Sequence, residues 1–408
     1  MGKVSRLLAV ENIRREKGRT GRFKSFNYEI LFFNAIRFMK QNFFDIVIIG
    51  AGVIGHSIAF KLKQGRSDLR LAVVGDPMNS LMASRAAAGM LAPFGECNEA
   101  NRFFRFCRDS FLQYPDFIKS LISISNIPVF LSMKGSLIPS FSLDNGWEKK
   151  VQFFREQNIP HEIWSPERSR QLAPALVESC GEVMWVGEGQ VNNREMHDAL
   201  VTASNKLGVE IIEKNVTGFT HDSSSVEAAV VEKLEVRGKK FVLASGSWSS
   251  QLGDALDVSL PVKPIKGQMC RVQVEDGQLD YTVHGLMTYI APWQGDKGFV
   301  LGTTMEDRGF NPIIEDDVIQ GLIARAAEVI PCIKDAPLIE SWTGLRPAAE
   351  DLMPVMGKSS RYQNLFYSTG HYRNGILQTP KQADYIVETI LETLTDEILE
   401  FSPKRYNL

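Results

Sequence analysis

The first strong apolar run along the chain is Asp45-Ile46-Val47-Ile48-Ile49. Consecutive β-branched residues without alternation mark a strand buried on both faces of a parallel sheet. Gly50-Ala51-Gly52-Val53-Ile54-Gly55 follows at once. From His56 to Gln64 the pattern becomes helical, with Ile58, Ala59 and Leu62 available to face a sheet. Leu71-Ala72-Val73-Val74 is a second buried strand. Strand, glycine turn, helix and strand in that order predict a βαβ unit. Further along, Asn193 to Leu207 reads as a helix and Val209-Glu210-Ile211-Ile212 as a strand. Phe241-Val242-Leu243-Ala244 is another buried strand, running into the small-residue turn Ser245-Gly246-Ser247-Trp248. Met269-Cys270-Arg271-Val272-Gln273-Val274 alternates as a half-buried strand should. There is no internal repeat and no low-complexity linker.

The apolar stretch from Phe43 to Phe60 is eighteen residues long, enough to pose the question of a membrane span. Asp45 and His56 interrupt it, and three glycines fall inside it, so the strand–turn–helix reading is preferred. No integral membrane segment is expected.

The chain has 408 residues, a length that suits two packed domains. With 44% hydrophobic and 23% charged residues it has the composition of a folded globular protein. A formal charge of −2 leaves no large field to attract nucleic acid, and none is expected as a partner. Five cysteines without a CxxC argue against a disulfide framework or a zinc knuckle, and reduced thiols in a cytoplasmic protein are the simplest reading. Six histidines without HxH or HExxH give no metal site.

Charge is unevenly placed. Residues 1–42 carry ten basic and three acidic residues, a net of +7, so the remaining 366 carry −9. This basic arm lacks the apolar run and small-residue cleavage site of a secretory signal. It reads either as a targeting or membrane-surface arm, giving peripheral membrane association, or as an extension upstream of Met39 that contributes nothing to the fold. The second reading is the simpler one.

The glycine turn carries chemistry. Gly50 allows the tight turn, Gly52 lets backbone approach a pyrophosphate, and Gly55 lets the helix pack close to the strand. The helix N-terminus, at Val53 and Ile54, then faces the phosphate charge. Such a unit binds a dinucleotide. An acidic residue is expected at the end of the second strand to hold the ribose. That place holds Gly75, and Asp76 one residue later is the candidate, with an Asp-Pro turn as its alternative. The small-residue run from Ala83 to Pro93 would let backbone lie against a large flat ligand, with Ser84 and Arg85 reaching its phosphates.

Two blocks then become informative together: Ser84 to Pro93, and Gly370-His371-Tyr372-Arg373-Asn374-Gly375-Ile376-Leu377. With Pro264-Ile265-Lys266-Gly267-Gln268, Tyr289-Ile290-Ala291-Pro292, Leu301-Gly302-Thr303-Thr304-Met305 and Gly344-Leu345-Arg346-Pro347, they span most of residues 43–385. In these blocks the sequence resembles the D-amino-acid-oxidase superfamily of FAD-dependent amine oxidases, and within it the bacterial glycine-oxidase branch of the thiamine-biosynthesis type. The resemblance implies an α/β chain, α+β overall. A Rossmann-like FAD-binding domain (43–128, 185–258 and 342–408) would interleave with a mostly antiparallel sheet that binds substrate (129–184 and 259–341).

The resemblance also implies roles. Arg346 would hold a substrate carboxylate, helped by Tyr289, while Met305 would line the substrate pocket and Arg373 would line the active site or hold the flavin loop. Ala88, Gly89 and Met90 would lie at the flavin face, and Val216 and Gly246 beside the nucleotide. Gly370, His371, Asn374, Gly375 and Ile376 would approach the flavin, with His371 present through its backbone rather than as a proton carrier. FAD would be bound non-covalently, because the one late-loop cysteine, Cys332, lies in an unsuitable Ile330-Pro331-Cys332 context. The activity implied is hydride transfer from Cα of glycine or another small amino acid or amine. An oxo acid, ammonia and hydrogen peroxide would result, with dioxygen as acceptor. A dehydrogenase for D-amino acids, sarcosine or proline that passes electrons to a quinone is the alternative enzyme, and a flavin-binding scaffold without catalysis is the alternative outside enzymes. The resemblance implies a bacterial cytoplasmic protein and allows a homo-oligomer, since glycine oxidases are often tetramers, but no sequence pattern here fixes the assembly.

Overall fold

In the computed structural model the described residues are 43–95, 97–141, 146–275, 279–285, 288–293 and 297–408. The basic arm 1–42 lies outside them. Strand Phe43–Ile49 sits in the middle of an eight-stranded sheet and pairs in parallel with Leu71–Val74, Ile46 opposite Leu71. Alternate residues of this strand feed two different cores. Ile46 and Ile48 pack with Ile58, Leu62 and Ile386, while Val47 and Ile49 pack with Val226, Phe241 and Leu243. Burial on both faces is thus the reason for the unbroken β-branched run. Each such side chain contributes about 1.5–3 kcal/mol.

On one side of Phe43–Ile49 the sheet continues through Leu71–Val74 to Glu210–Ile212, in parallel. On the other it continues through Leu234–Leu243 into the hairpin strands Val226–Val231 and Gly218–His221. Leu365–Thr369 also pairs in parallel with Leu234–Leu243. The helix predicted from His56 begins earlier, at Val53, and runs to Gly65.

The second eight-stranded sheet runs Leu338–Ala349, Val262–Gln273, Gly298–Gly302, Thr288–Pro292, Thr282–Gly285, Ser136–Pro139, Val183–Val186, His161–Trp164. Its pairings are antiparallel except Thr282–Gly285 with Ser136–Pro139. Helix Asp316–Ala327 covers it through Ile319, Leu322 and Ile323. The two sheets take alternating stretches of one chain, as an interleaved architecture requires. Two strands, Val183–Val186 and Leu338–Ala349, run across the expected boundaries at 184/185 and 341/342.

A long helix, Arg102–Ser125, is absent from the elements read from the sequence. The Asn101 side chain caps its start by accepting from the Phe104 amide, and Asn126 ends it at φ +59°. It packs against helix Gly375–Leu391, and both contain an internal proline, Pro115 and Pro380. Pro380 has no N–H to give the carbonyl four residues back, at Ile376. The buried Tyr114 hydroxyl donates to that carbonyl instead. A helix defect is thereby turned into a contact that fixes the N-terminal turn of Gly375–Leu391.

The two layers are also tied together by one fully buried carboxylate, Glu188. Its Oε1 accepts from the amides of Phe94 (2.8 Å) and Gly95 (2.6 Å). The Ser136 hydroxyl donates to Oε2, and His284 Nε2 lies 3.4 Å from the same oxygen. Burial alone would raise this carboxyl, but His284, Ser136 and the Gly95 amide outweigh it and hold the group below its ordinary 4.5. A depressed carboxyl contributes stability above its unfolded pKa and loses it as pH falls through the folded one. Glu188→Leu, which strands the two amides, is expected to cost about 3 kcal/mol at pH 7. The gap to the parent chain should narrow as pH drops below 4.5, measured by denaturant unfolding at several pH values. A gap that is constant or widens in acid would show that Glu188 is not held ionised.

Candidate active site

A cavity of about 420 Å³ opens at the carboxyl ends of five strands of the first sheet, beside Gly50, Gly75, Asn215, Ala244 and Thr369. This is where open α/β sheets place ligands. The glycine turn forms one wall. Gly50 has φ +122°, and a Cβ there would overlap the Ala244 carbonyl. A Cβ on Gly52 would come within 2.8 Å of Ser84 Oγ, the atom that accepts from the Val53 amide at 3.1 Å. Gly55 lies behind the wall, because a Cβ on it would run into the Gly50 carbonyl. Close packing of helix on turn is its work, as the sequence suggested.

Gly75 now has a reason. A Cβ there would approach the Ala51 nitrogen to 2.9 Å, so the acidic residue stands one place later. Asp76 does line the cavity, and its Oδ1 also accepts from the Met78 amide at 2.8 Å. The turn is braced from behind by His197, whose Nε2 lies 2.8 Å from the Ala51 carbonyl oxygen. Burial lowers the His197 pKa, so in neutral solution the ring is uncharged and donates through Nε2. No pattern marked His197, because a single buried histidine on helix Asn193–Lys206 looks like core.

The small-residue run forms a short helix, Ala83–Ala86, then strand Met90–Leu91 paired with Gly189–Val191. Ser84, Ala88, Gly89 and Met90 line the cavity. Arg85 does not. Asp198 draws its guanidinium away at 2.5 Å, and His197 Nδ1 lies 3.4 Å from it. Neighbours on a helix point about 100° apart, and with Ser84 on the cavity the Arg85 side chain is directed toward Asp198 instead. Val216 and Gly246 line the same cavity.

Tyr289 and Arg346 are brought together through one segment of backbone. Tyr289 pairs across strands with Gly302, and its ring lies where a Cβ on Gly302 would be. The next residue, Thr303, accepts from Arg346 Nη2 through its hydroxyl at 2.8 Å. The Thr304 carbonyl accepts from Nη1 at 3.1 Å. The guanidinium lies over Gly267, where any Cβ would overlap it. Tyr289, Thr303 and Arg346 all line the cavity.

The C-terminal block closes the site. Gly370 turns the chain at φ +74° but is not in the lining, whereas His371, Arg373, Asn374, Gly375 and Ile376 are. His371 is buried, which pushes its pKa down to about 4. Its Nδ1 lies 2.7 Å from Gln378 Oε1 and its Nε2 3.4 Å from Ser368 Oγ. A neutral ring engaged at both nitrogens is a poor proton carrier. Tyr372, in the lining but not among the residues singled out from the sequence, adopts φ +47°, with its amide on the Pro347 carbonyl at 2.8 Å. Its hydroxyl donates to Met305 Sδ at 3.3 Å. Met305 itself is 60% exposed and outside the lining, so the structure places it beyond Tyr372 rather than within the cavity.

Two helix N-termini therefore meet one cavity, Val53–Gly65 from one side and Gly375–Leu391 from the other. Helix starts favour negative charge. A wall of backbone without side chains suits a pyrophosphate, and a second helix start some distance along the same cavity suits a ring that gains negative charge. The residues present fit a flavin dinucleotide. Among the described residues no group of three His, Cys, Asp or Glu side chains could hold a metal ion.

The protein family described as FAD dependent oxidoreductase (DAO) matches residues 45–389. The chain is 34% identical over 363 residues to the bifunctional protein ThiO/ThiG of Trichormus variabilis, covering 87% of this chain and 54% of that one. The chain thus spans about half the length of these bifunctional relatives. It is 30% identical over 348 residues to the glycine oxidase of Geobacillus kaustophilus, covering 83% of this chain and 90% of that one. The crystal structure of glycine oxidase from the same organism superposes with a TM-score of 0.82 at 28% identity, over 88% and 98% of the two chains. Family match, shared fold and a cavity shaped for a flavin dinucleotide agree: the chain belongs to the DAO family of FAD dependent oxidoreductases, and FAD is its cofactor.

Proposed function

We propose that this chain oxidises glycine or a similarly small amino acid or amine. The observation that carries the reading is the joining of Tyr289 and Arg346 on one wall through Gly302 and Thr303. A planar guanidinium presents paired donors to a carboxylate, and a phenol adds a donor without adding charge. Arg346 would hold the substrate carboxylate and Tyr289 would share it, with Arg373 contributing a second cation to the same cavity. The names of the glycine oxidase and ThiO/ThiG relatives support a glycine-sized substrate.

Bound FAD supplies the two-electron acceptor for the hydride that leaves Cα. The protein's part is orientation. Fixing the carboxylate aims the C–H bond, and positioning of this kind is worth up to about 7–11 kcal/mol of barrier. The amine must be neutral when the hydride leaves, and His371 would not be the group that deprotonates it, because its ring is already engaged. The imine product would hydrolyse to an oxo acid and ammonia, with dioxygen taking the electrons to give hydrogen peroxide. In keeping with the sequence resemblance, the oxidised glycine would supply thiamine biosynthesis in bacterial cytoplasm. Among the described residues no helix is long and apolar enough to cross a membrane.

FAD-loaded protein given glycine in air is expected to release ammonia and hydrogen peroxide in equal amounts. Ammonia limited to one equivalent per flavin without peroxide, with turnover restored by an added quinone, would transfer the acceptor role to a quinone. Arg346→Ala is expected to weaken carboxylate binding by about 2–5 kcal/mol, seen as a raised KM, with FAD still bound. Arg346→Lys should recover only part of the loss, since a single ammonium lacks the fork. Unchanged kinetics in Arg346→Ala would remove this residue from the substrate site.

A further inference from the structure

The Arg346 guanidinium is held by a segment that is itself held by buried polar side chains the proposed reaction does not use. Strand Val262–Gln273 runs antiparallel to Leu338–Ala349, with Lys266 opposite Leu345 and Gln268 opposite Thr343. Lys266 is 1% exposed and Gln268 fully buried. Burying such groups is costly unless they are paired. Here the side chains find their partners at Glu306, Ile313 and Glu315, and the Gln268 carbonyl accepts from the Thr303 hydroxyl at 3.2 Å.

The pairing is dense. Lys266 and Glu306 exchange two backbone hydrogen bonds of 2.9 Å each. The Gln268 amide donates to Thr304 Oγ1 at 2.9 Å, and Thr304 Oγ1 donates onward to Glu306 Oε1 at 2.5 Å. Gln268 Nε2 donates to the same Glu306 oxygen at 2.9 Å, while Gln268 Oε1 accepts from the Glu315 amide at 2.7 Å. Lys266 Nζ donates to the Ile313 carbonyl and lies 3.5 Å from Glu306 Oε2. Thr304 is therefore fixed through its side chain, and its carbonyl and the Thr303 hydroxyl both accept from Arg346.

We propose that Gln268 and Glu306, backed by Lys266, are positioning residues for Arg346. They fix the 303–304 backbone, and through its two acceptors they set the direction in which the guanidinium meets the substrate carboxylate. This rests on the reading of Arg346 given above. The physical gain is preorganisation. A free arginine side chain loses rotamer entropy when it is ordered, and a fork already pinned at two N–H groups loses less of it when a carboxylate binds. A misplacement of about 1 Å in such a group can cost about 100-fold.

The test uses the full FAD-loaded chain and glycolate, a carboxylate of substrate size without an amine. Glycolate Kd is read from the perturbed flavin absorption, beside glycine KM and kcat. Glu306→Ala and Thr304→Val are each expected to raise glycolate Kd and glycine KM about tenfold or more, with a smaller fall in kcat and unchanged FAD content. Glu306→Gln, which keeps an oxygen acceptor for Thr304 and Gln268, should stay within about threefold of the parent. A merely structural role would lower melting temperature and FAD content without a selective loss of carboxylate binding or its recovery in Glu306→Gln. Should Glu306→Ala not fold, Thr304→Val decides, since it removes a single hydroxyl. If Arg346→Ala weakens glycolate while Thr304→Val leaves it unchanged, the positioning role is overturned and the carboxylate reading stands. If Arg346→Ala leaves glycolate unchanged, it is the carboxylate reading that fails.

Discussion

The site depends on backbone meeting backbone with no side chain between. Gly50 lies under the Ala244 carbonyl, Gly55 on the Gly50 carbonyl, and Gly75 against the Ala51 nitrogen. These contacts bring three strand ends and one helix start close enough to share a wall. A wall of amides and carbonyls can follow a long anionic ligand, whereas a wall of side chains would fill the space. Ser84 and His197 hold this turn from its two sides, one on the Val53 amide and the other on the Ala51 carbonyl. At the far end the same logic recurs. Gly302 makes room for the Tyr289 ring and Gly267 for the Arg346 guanidinium.

Long-range polar ties then fix the two ends relative to each other. Glu188 joins the loop at Phe94 and Gly95 to Ser136 and His284 of the second sheet. Tyr114 reaches from one helix to the Ile376 carbonyl of another, where Pro380 has left it without a helical partner. Gln268 and Glu306 do the same for the segment that holds Arg346. In each case a buried polar group costs stability unless its partner is present, so the geometry is specified as well as stabilised.

What the sequence made legible was local. The run from Asp45 to Ile49, the glycine turn and Leu71–Val74 carry their structure in composition and spacing, and strand and helix appear where those patterns place them. The cavity residues in the turn could be read for the same reason, whereas those in the 371–376 block were legible only through the resemblance to a known family. What could not be read was pairing across the chain. Arg85 sits beside Ser84 in sequence, yet Asp198, 113 residues away, turns it out of the cavity. Met305 lies in a block that resembles a pocket wall, yet its side chain ends beyond Tyr372. Glu188, His197 and Gln268 look like any isolated polar residue until their partners are in place. Helix Arg102–Ser125 carries a proline that spoils a simple helical reading, and its aromatic side chains make sense only once Phe60, Phe94, Phe153 and helix Gly375–Leu391 are packed around them.

The central claim is that the cavity holds FAD and presents it with a small amino acid anchored on Arg346. The visible spectrum of the FAD-loaded chain, titrated with glycine without oxygen, tests this most directly. The oxidised-flavin bands are expected to bleach with saturating dependence on glycine and to return on admitting air. Flavin bands that stay unchanged with glycine and with a panel of small D-amino acids and N-methyl amino acids would contradict it.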